Sequence, residues 1–139
     1  MTTKEVKKKL WGYQKAKEEH KRLQRKIEEI ETQIMSLSID YSKDKVQATT
    51  DAQDKLANVM DRLSKLREDA INKAAEEGEK MLEVYNLIDS VSDPLQKNIL
   101  QRKYIEGLTW EEVCYKIGYS WTQTHEHHKR ALEGLGKML

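Results

Sequence analysis

Apolar residues recur along the front of this chain at alternating spacings of three and four. Tyr13, Ala16, His20, Leu23, Ile27, Ile30, Ile34 and Leu37 form one stripe, which Val6 and Leu10 extend imperfectly toward the start. That period marks one face of an α-helix and, sustained over several heptads, a coiled-coil seam. It predicts a first helix over residues 3–35, roughly 50 Å long at 1.5 Å per residue. A helix of that length cannot be buried in a globule of this size, so it must pack lengthwise on another helix. His20 is the polar position of the seam and suits a register-setting role. A second stripe, Ala52, Leu56, Val59, Leu63, Leu66 and Ala70, predicts a helix over residues 51–91. It slips at Ala74 and resumes at Met81, Val84, Ile88 and Val91. Such a slip locally unwinds a coiled coil. Ala74, Ala75 and Gly78 are small, so close helix approach or a kink is expected there. Residues 36–50 lack a seam and read as a loop, with Leu37, Ile39 and Tyr41 lying back over the helical pair.

Asp93-Pro94 is the sharpest boundary. Proline fits a first helical turn, where its missing amide costs nothing, and Asp93 caps that turn. The following helix, over residues 94–106, carries Leu95, Ile99, Leu100 and Tyr104 toward its neighbours. At about 45 residues the C-terminal unit is small for an independent core, and it is expected to lean on Tyr85, Leu87 or Ile88. Gly107 then suits the left-handed residue that ends a helix. Thr109 stands three residues before Glu112, a capping-box spacing. Gly118 ends that short helix, and Ser120 opens the last one with Gln123 in the matching position. Two capped helices joined around a glycine are the pattern of a helix-turn-helix, whose second helix enters the DNA major groove. The fold expected is all-α: a long antiparallel coiled-coil helical pair over residues 1–92, then a trihelical helix-turn-helix domain over 93–139.

These motifs carry a resemblance. The leucine-rich helix, then Lys103-Tyr104-Ile105-Glu106-Gly107-Leu108-Thr109-Trp110-Glu111-Glu112-Val113, Ile117-Gly118-Tyr119-Ser120 and Arg130-Ala131-Leu132, resemble the promoter-recognising C-terminal region of bacterial sigma factors. The whole chain resembles the sigma-like regulators of Gram-positive phages and prophages, the group that contains the ArpU and RinA late-gene activators. In that group a Ser-Lys-Asp-Lys-Val type element, matched by residues 42–46, also joins the helices. The resemblance implies a transcription regulator of late or packaging genes. It would bind double-stranded DNA through the helix-turn-helix, form a homo-oligomer through its N-terminal helices, and contact host RNA polymerase.

The reading helix of such proteins uses its first turns, which correspond here to Ser120, Trp121, Thr122, Gln123 and Glu126 or His127. Gln123 has the amide geometry to read adenine, and Thr122 can meet a thymine methyl. Lys129, Arg130 and Arg102 suit phosphates, which fix register without carrying sequence information. Trp121 is placed either to stack in a groove or to pack on a partner protein. Trp110 matches the family tryptophan and reads as packing. The chain departs from the pattern at Glu126, where a basic residue is usual; a carboxylate repels phosphate but accepts from cytosine. Thr124, Ala131, Leu132 and Leu135 take the core-facing positions. His127 reads as either a neutral core histidine or a solvent-facing one.

Charge adds one reservation. The chain has 139 residues, 35% of them charged, with a formal net charge of +1. Residues 1–35 hold ten Lys and Arg against six Glu, residues 36–94 eight against thirteen acids, and residues 95–139 seven against five. This is a weak footprint for a DNA binder, whose usual mark is a basic face. A partner or a second copy is expected to supply the rest. His125 and His128 share a helix face, but two such ligands without a third make a poor metal site, and no metal or cofactor is expected. The single cysteine, Cys114, fits a reducing cytoplasm and a packing role. No apolar run reaches the roughly 18 to 20 residues that span a bilayer, and the basic start lacks the apolar core of a secretory signal. No catalytic constellation is present, so the chain reads as a non-enzyme. Two other functions share the layout: a small terminase subunit, which pairs a helix-turn-helix with an oligomerising stalk, and a protein-interaction module that has lost DNA binding.

Overall fold

The computed structural model describes residues 1–44 and 50–139, with side chains described at 1–36 and 51–139. The chain is all-helical. Helix α1 spans Thr3–Leu10, α2 Gly12–Asp44, α3 Thr50–Asp89, α4 Pro94–Leu100, α5 Trp110–Ile117 and α6 Trp121–Met138; α4 runs on as a π-helical turn, Gln101–Ile105. None of these helices is long and apolar enough to cross a membrane.

The predicted first helix is interrupted at Trp11. Thr2 starts α1 with a full capping box to Glu5. Helix α2 then continues to Asp44, so residues 36–44 are helical where the sequence pattern predicted a loop. The expected placement of Leu37, Ile39 and Tyr41, and the rest of the loop and joining element up to Thr50, lie outside the described side chains or residues.

The chain divides into two compact units, residues 1–17 with 76–139, and residues 18–75. The expected boundary at 92/93 is therefore not where the compact units part. The first seventeen residues and the end of α3 belong with the helix-turn-helix, because their apolar side chains complete its core. Val6, Leu10, Tyr13, Val84, Ile88, Val91, Leu100, Tyr104, Ala131, Leu132 and Leu135 form one buried cluster, with Met81, Leu87 and Ile105 packed against it. Val6 and Leu10 are wholly buried, and each contributes about 1.5–3 kcal/mol of hydrophobic stabilisation. This extra face answers the size problem of a 45-residue trihelical unit. The expected support from Leu87 and Ile88 is present; the support from α1 was not foreseen.

The second unit is a helical pair formed within one chain. Arg67 and Glu31 make an ion pair at 3.1 Å, and Lys73 and Glu19 another at 3.4 Å. Higher numbers on one helix meet lower numbers on the other, so the two run antiparallel, as predicted. The predicted seam residues His20, Leu23, Ile27, Ile30 and Ile34 are half-buried, as are Ala52, Leu56, Val59, Leu66 and Ala70, while Leu63 is buried.

The slip at Ala74 is not the device the pattern suggested. Helix α3 is unbroken from Thr50 to Asp89. Ala74 and Ala75 are exposed, and the half-buried positions are Lys73 and Glu77. The spacing of three and four thus continues through Ala70, Lys73, Glu77 and Met81, with polar residues holding two seam places. A Cβ added at Gly78 would meet nothing within 4 Å, so that glycine does not mark a close approach.

Candidate nucleic-acid interface

The helix-turn-helix is built by its caps. Asp93 Oδ1 accepts from the amides of Leu95 and Gln96 at 2.9 and 3.1 Å and starts α4. Its π-turn closes with the Glu106 amide donating to the Gln101 carbonyl at 3.0 Å, and the Leu108 amide then donates to the Arg102 carbonyl at 3.1 Å. Gly107 makes this stop possible at φ 72°, a conformation that costs glycine little. Gln14, from the start of α2, donates through Nε2 to the Tyr104 and Ile105 carbonyls at 3.2 and 3.0 Å. Those carbonyls would otherwise be orphaned by the helix end.

Thr109 caps α5, accepting from the Glu112 amide at 3.2 Å. The Glu112 carboxylate accepts from the Thr109 hydroxyl at 3.0 Å, whereas the sequence pattern pointed it at the cap amide. Gly118 ends α5 at φ 74°, and its amide donates to the Cys114 carbonyl. Ser120 then opens α6 with the predicted capping box: its hydroxyl oxygen accepts from the Gln123 amide at 3.2 Å, and Gln123 Oε1 accepts from the Ser120 amide at 3.3 Å and hydroxyl at 3.1 Å. The Gln123 carbonyl oxygen is therefore engaged by the cap, which competes with the predicted bidentate reading of adenine.

Helix α6 separates its two faces cleanly. Thr124, His128, Ala131, Leu132 and Leu135 are buried, and Ser120, Trp121, Thr122, Gln123, Glu126, Lys129 and Arg130 are exposed. The structure thus leaves these predicted contacts on the surface, while His127, the alternative to Glu126, is half-buried. The eighth, Arg102, is half-buried in the π-turn: its Nε donates to Asn98 Oδ1 at 2.9 Å and Nη1 lies 3.6 Å from the Glu106 carboxylate. Arg130 is drawn to Glu126 at 3.1 Å. Of the three predicted phosphate cations, only Lys129 makes no ion pair among the described residues.

The three histidines of α6 lie in aromatic surroundings. The His125 ring lies 4.4 Å from both Trp121, stacked, and Trp110, tilted, and its Nδ1 is 2.9 Å from the Trp121 carbonyl. Trp110 also meets His128 edge-on at 4.6 Å, which gives Trp110 the packing role expected of it. Trp121 stacks on its own helix yet stays 53% exposed. His127 is half-buried against the Tyr119 ring, with its Nδ1 buried and unpartnered. His128 Nε2 and the Tyr104 hydroxyl share a hydrogen bond of 2.7 Å. Burial, then Lys7, His125 and Lys103, pull His128 down to about 4, so the ring is neutral at ordinary pH. Burial likewise raises the Tyr104 phenol.

Lys103 was not singled out by the sequence. Its Nζ donates to the Leu108 carbonyl at 3.0 Å and sits over the rings of Trp110 and Trp11, 5.1 and 5.4 Å from their centroids. Burial and Lys7 lower its pKa, opposed by Glu112. Trp11 in turn lies edge-on to Tyr104 at 5.1 Å. No period could reveal this arrangement, because it joins α1 to a turn about ninety residues away. An aromatic set beside a run of lysines near the start was the one available hint.

No curated protein and no solved structure matches the chain. A family model described as "Protein of unknown function (DUF1492)" matches residues 34–136. The match takes in all of α3, the caps and turn described above and nearly all of α6. This chain belongs to the DUF1492 family.

Proposed function

We propose that this protein binds double-stranded DNA through the exposed face of α6 and acts as a phage or prophage transcription regulator of late or packaging genes. One observation carries the reading: a doubly capped helix-turn-helix whose second helix buries Thr124, His128 and Leu132 while leaving Trp121, Thr122 and Lys129 at the surface. Thr122 has a methyl and a hydroxyl for base edges, and Lys129 has a free ammonium for phosphate. The site of action is the bacterial cytoplasm, and the helical pair, or another surface of the molecule, couples copies. Because each pair forms within one chain, coupling requires surfaces outside the intrachain seam; Met35, Met60 and Ile71 are exposed there.

A second reading has its own support. Tyr115 is 89% exposed and Tyr119 40%, on the helix-turn-helix itself, and exposed aromatics mark protein partners as readily as grooves. Contact with RNA polymerase through α5 fits that surface. The terminase-subunit alternative would require a large ring of copies.

Mapping the DNA bound by a tagged chain in its host tests the proposal. Enrichment at one promoter, lost about tenfold in Thr122→Ala, is the expected result. Scattered or absent enrichment, or a Thr122→Ala variant that binds like the original, would overturn it. Thr122 is the better probe than Gln123, whose replacement also removes half of a helix cap.

A further inference from the structure

Two of the three predicted phosphate contacts, Arg102 and Arg130, are held in ion pairs, and the fold sets a basic helix beside the helix-turn-helix. Helix α1 carries Lys4, Lys7, Lys8 and Lys9 against Glu5 alone. Its placement against α6 and the π-turn is defined at three points. A Cβ on Gly136 would come within 2.6 Å of the Met1 carbonyl and 3.9 Å of Val6 Cγ2, so a glycine lets the start of α1 close on the end of α6. Lys7 lies near enough to lower the pKa of both His128 and Lys103. Trp11 packs on Tyr104. The helix therefore runs from the end of α6 toward its middle.

Helical periodicity sorts the four lysines. Lys8 and Lys9, with Glu5 and Gly12, line a hollow with Lys80 and Glu83 of α3. Lys4, Lys7 and Trp11 recur at spacings of three and four and so share the other flank, the one that Lys7 and Trp11 tie to the helix-turn-helix. Lys4 and Lys7 are exposed, and neither makes an ion pair among the described residues. On α6, Gly136, Lys129 and His125 fall on one side of the helix at 100° per residue, so the stripe from α1 adjoins the flank that carries Lys129.

We propose that Lys4 and Lys7 of α1 form a phosphate-binding arm that grips the DNA backbone beside α6. This rests on the reading of α6 as the DNA-contacting helix and supplies the charge that Arg102 and Arg130 spend on Glu106 and Glu126. It also explains why Val6 and Leu10 are wholly buried: they fix a cationic stripe in register with the reading helix.

The test measures the affinity of the full chain for a labelled random-sequence 30-base-pair duplex from about 50 to 200 mM NaCl. Each phosphate contact contributes about −0.9 to the slope of log affinity against log salt. K4Q/K7Q is expected to make the slope shallower by about 2, K129Q by about 1, and K4R/K7R to restore the original. An unchanged slope in K4Q/K7Q with a shallower one in K129Q overturns the arm while the reading of α6 stands. A loss that K4R/K7R does not restore also overturns it, because a backbone contact needs charge alone. A shallower slope in K4Q/K7Q with K129Q unchanged upholds the arm and sinks the α6 reading. No binding by the original chain overturns both.

Discussion

The two units of this molecule use the same kind of seam to opposite effect. In the helical pair over residues 18–75, each seam side chain has one neighbouring helix to meet, and the described ones stay half-buried except Leu63. In the unit made of residues 1–17 and 76–139, the same spacing of three and four meets several helices at once. Val6, Leu10, Val84, Ile88, Ile99, Leu100, Tyr104 and Val113 are there excluded from solvent. Burial therefore follows from the number of partners a face has, and the sequence period does not report that number. The candidate site follows the same division: the capped helices and the aromatic set sit where the backbone is held from several sides.

Truncation should expose the contrast most strongly. Leu10→Ala, in the well-surrounded unit, is expected to cost about 3 kcal/mol, and Leu56→Ala, on the half-buried seam, about 1 kcal/mol. Urea denaturation gives the totals, and hydrogen exchange should show faster opening of α6 in the first variant only. Equal costs would erase the distinction.

Next in size is the pH response. His128 in the folded chain is held at about 4 against an ordinary 6.5. Between those values the unfolded chain binds a proton that the folded one refuses. Stability is thus flat above about pH 6.5 and falls as the pH drops toward 4, by about 3 kcal/mol in all. Comparing the chain with His128→Gln across that range isolates the effect, because the variant should lack this component of the slope. His128 lies outside the helical pair, so exchange protection in that pair should not track it.

The smallest effect comes from the glycines, and it should change sign. Gly107 stands at φ 72°, and an added Cβ would meet the Gln14 amide at 3.0 Å. Gly107→Ala is expected to destabilise by about 1–2 kcal/mol. Gly78 lies inside α3 with open space around it, so Gly78→Ala should stabilise by about 1 kcal/mol. Thermal midpoints moving the same way in both would contradict the description of α3.

Much of the local plan was legible. Asp93-Pro94, Thr109 with Glu112, and Ser120 with Gln123 all start helices, because capping depends on residues three apart. Gly107 and Gly118 end them for an equally local reason. The slip at Ala74 was misread because Lys73 and Glu77 fill seam places without being apolar, and a pattern search counts only apolar residues. The helical extension through residues 36–44 was missed because helix formation does not require a seam. On α6 the exposed face followed from periodicity. The engagement of Gln123 by its cap, of Arg102 in the π-turn by Asn98 and Glu106, and of Arg130 by Glu126 changes which predicted contacts are unengaged.

The sequence by itself determined the all-helical class and the start and stop of the helix-turn-helix, since each depends on spacings within one or two turns of chain. Only the tertiary structure decided that α1 belongs to the C-terminal unit, that Lys103 lies between Trp11 and Trp110, and that Tyr104 and His128 share a buried hydrogen bond. Those contacts join residues as far apart in the chain as Val6 and Gly136. They arise from the collapse of several apolar faces into one core, and no periodicity along the chain encodes which faces will meet.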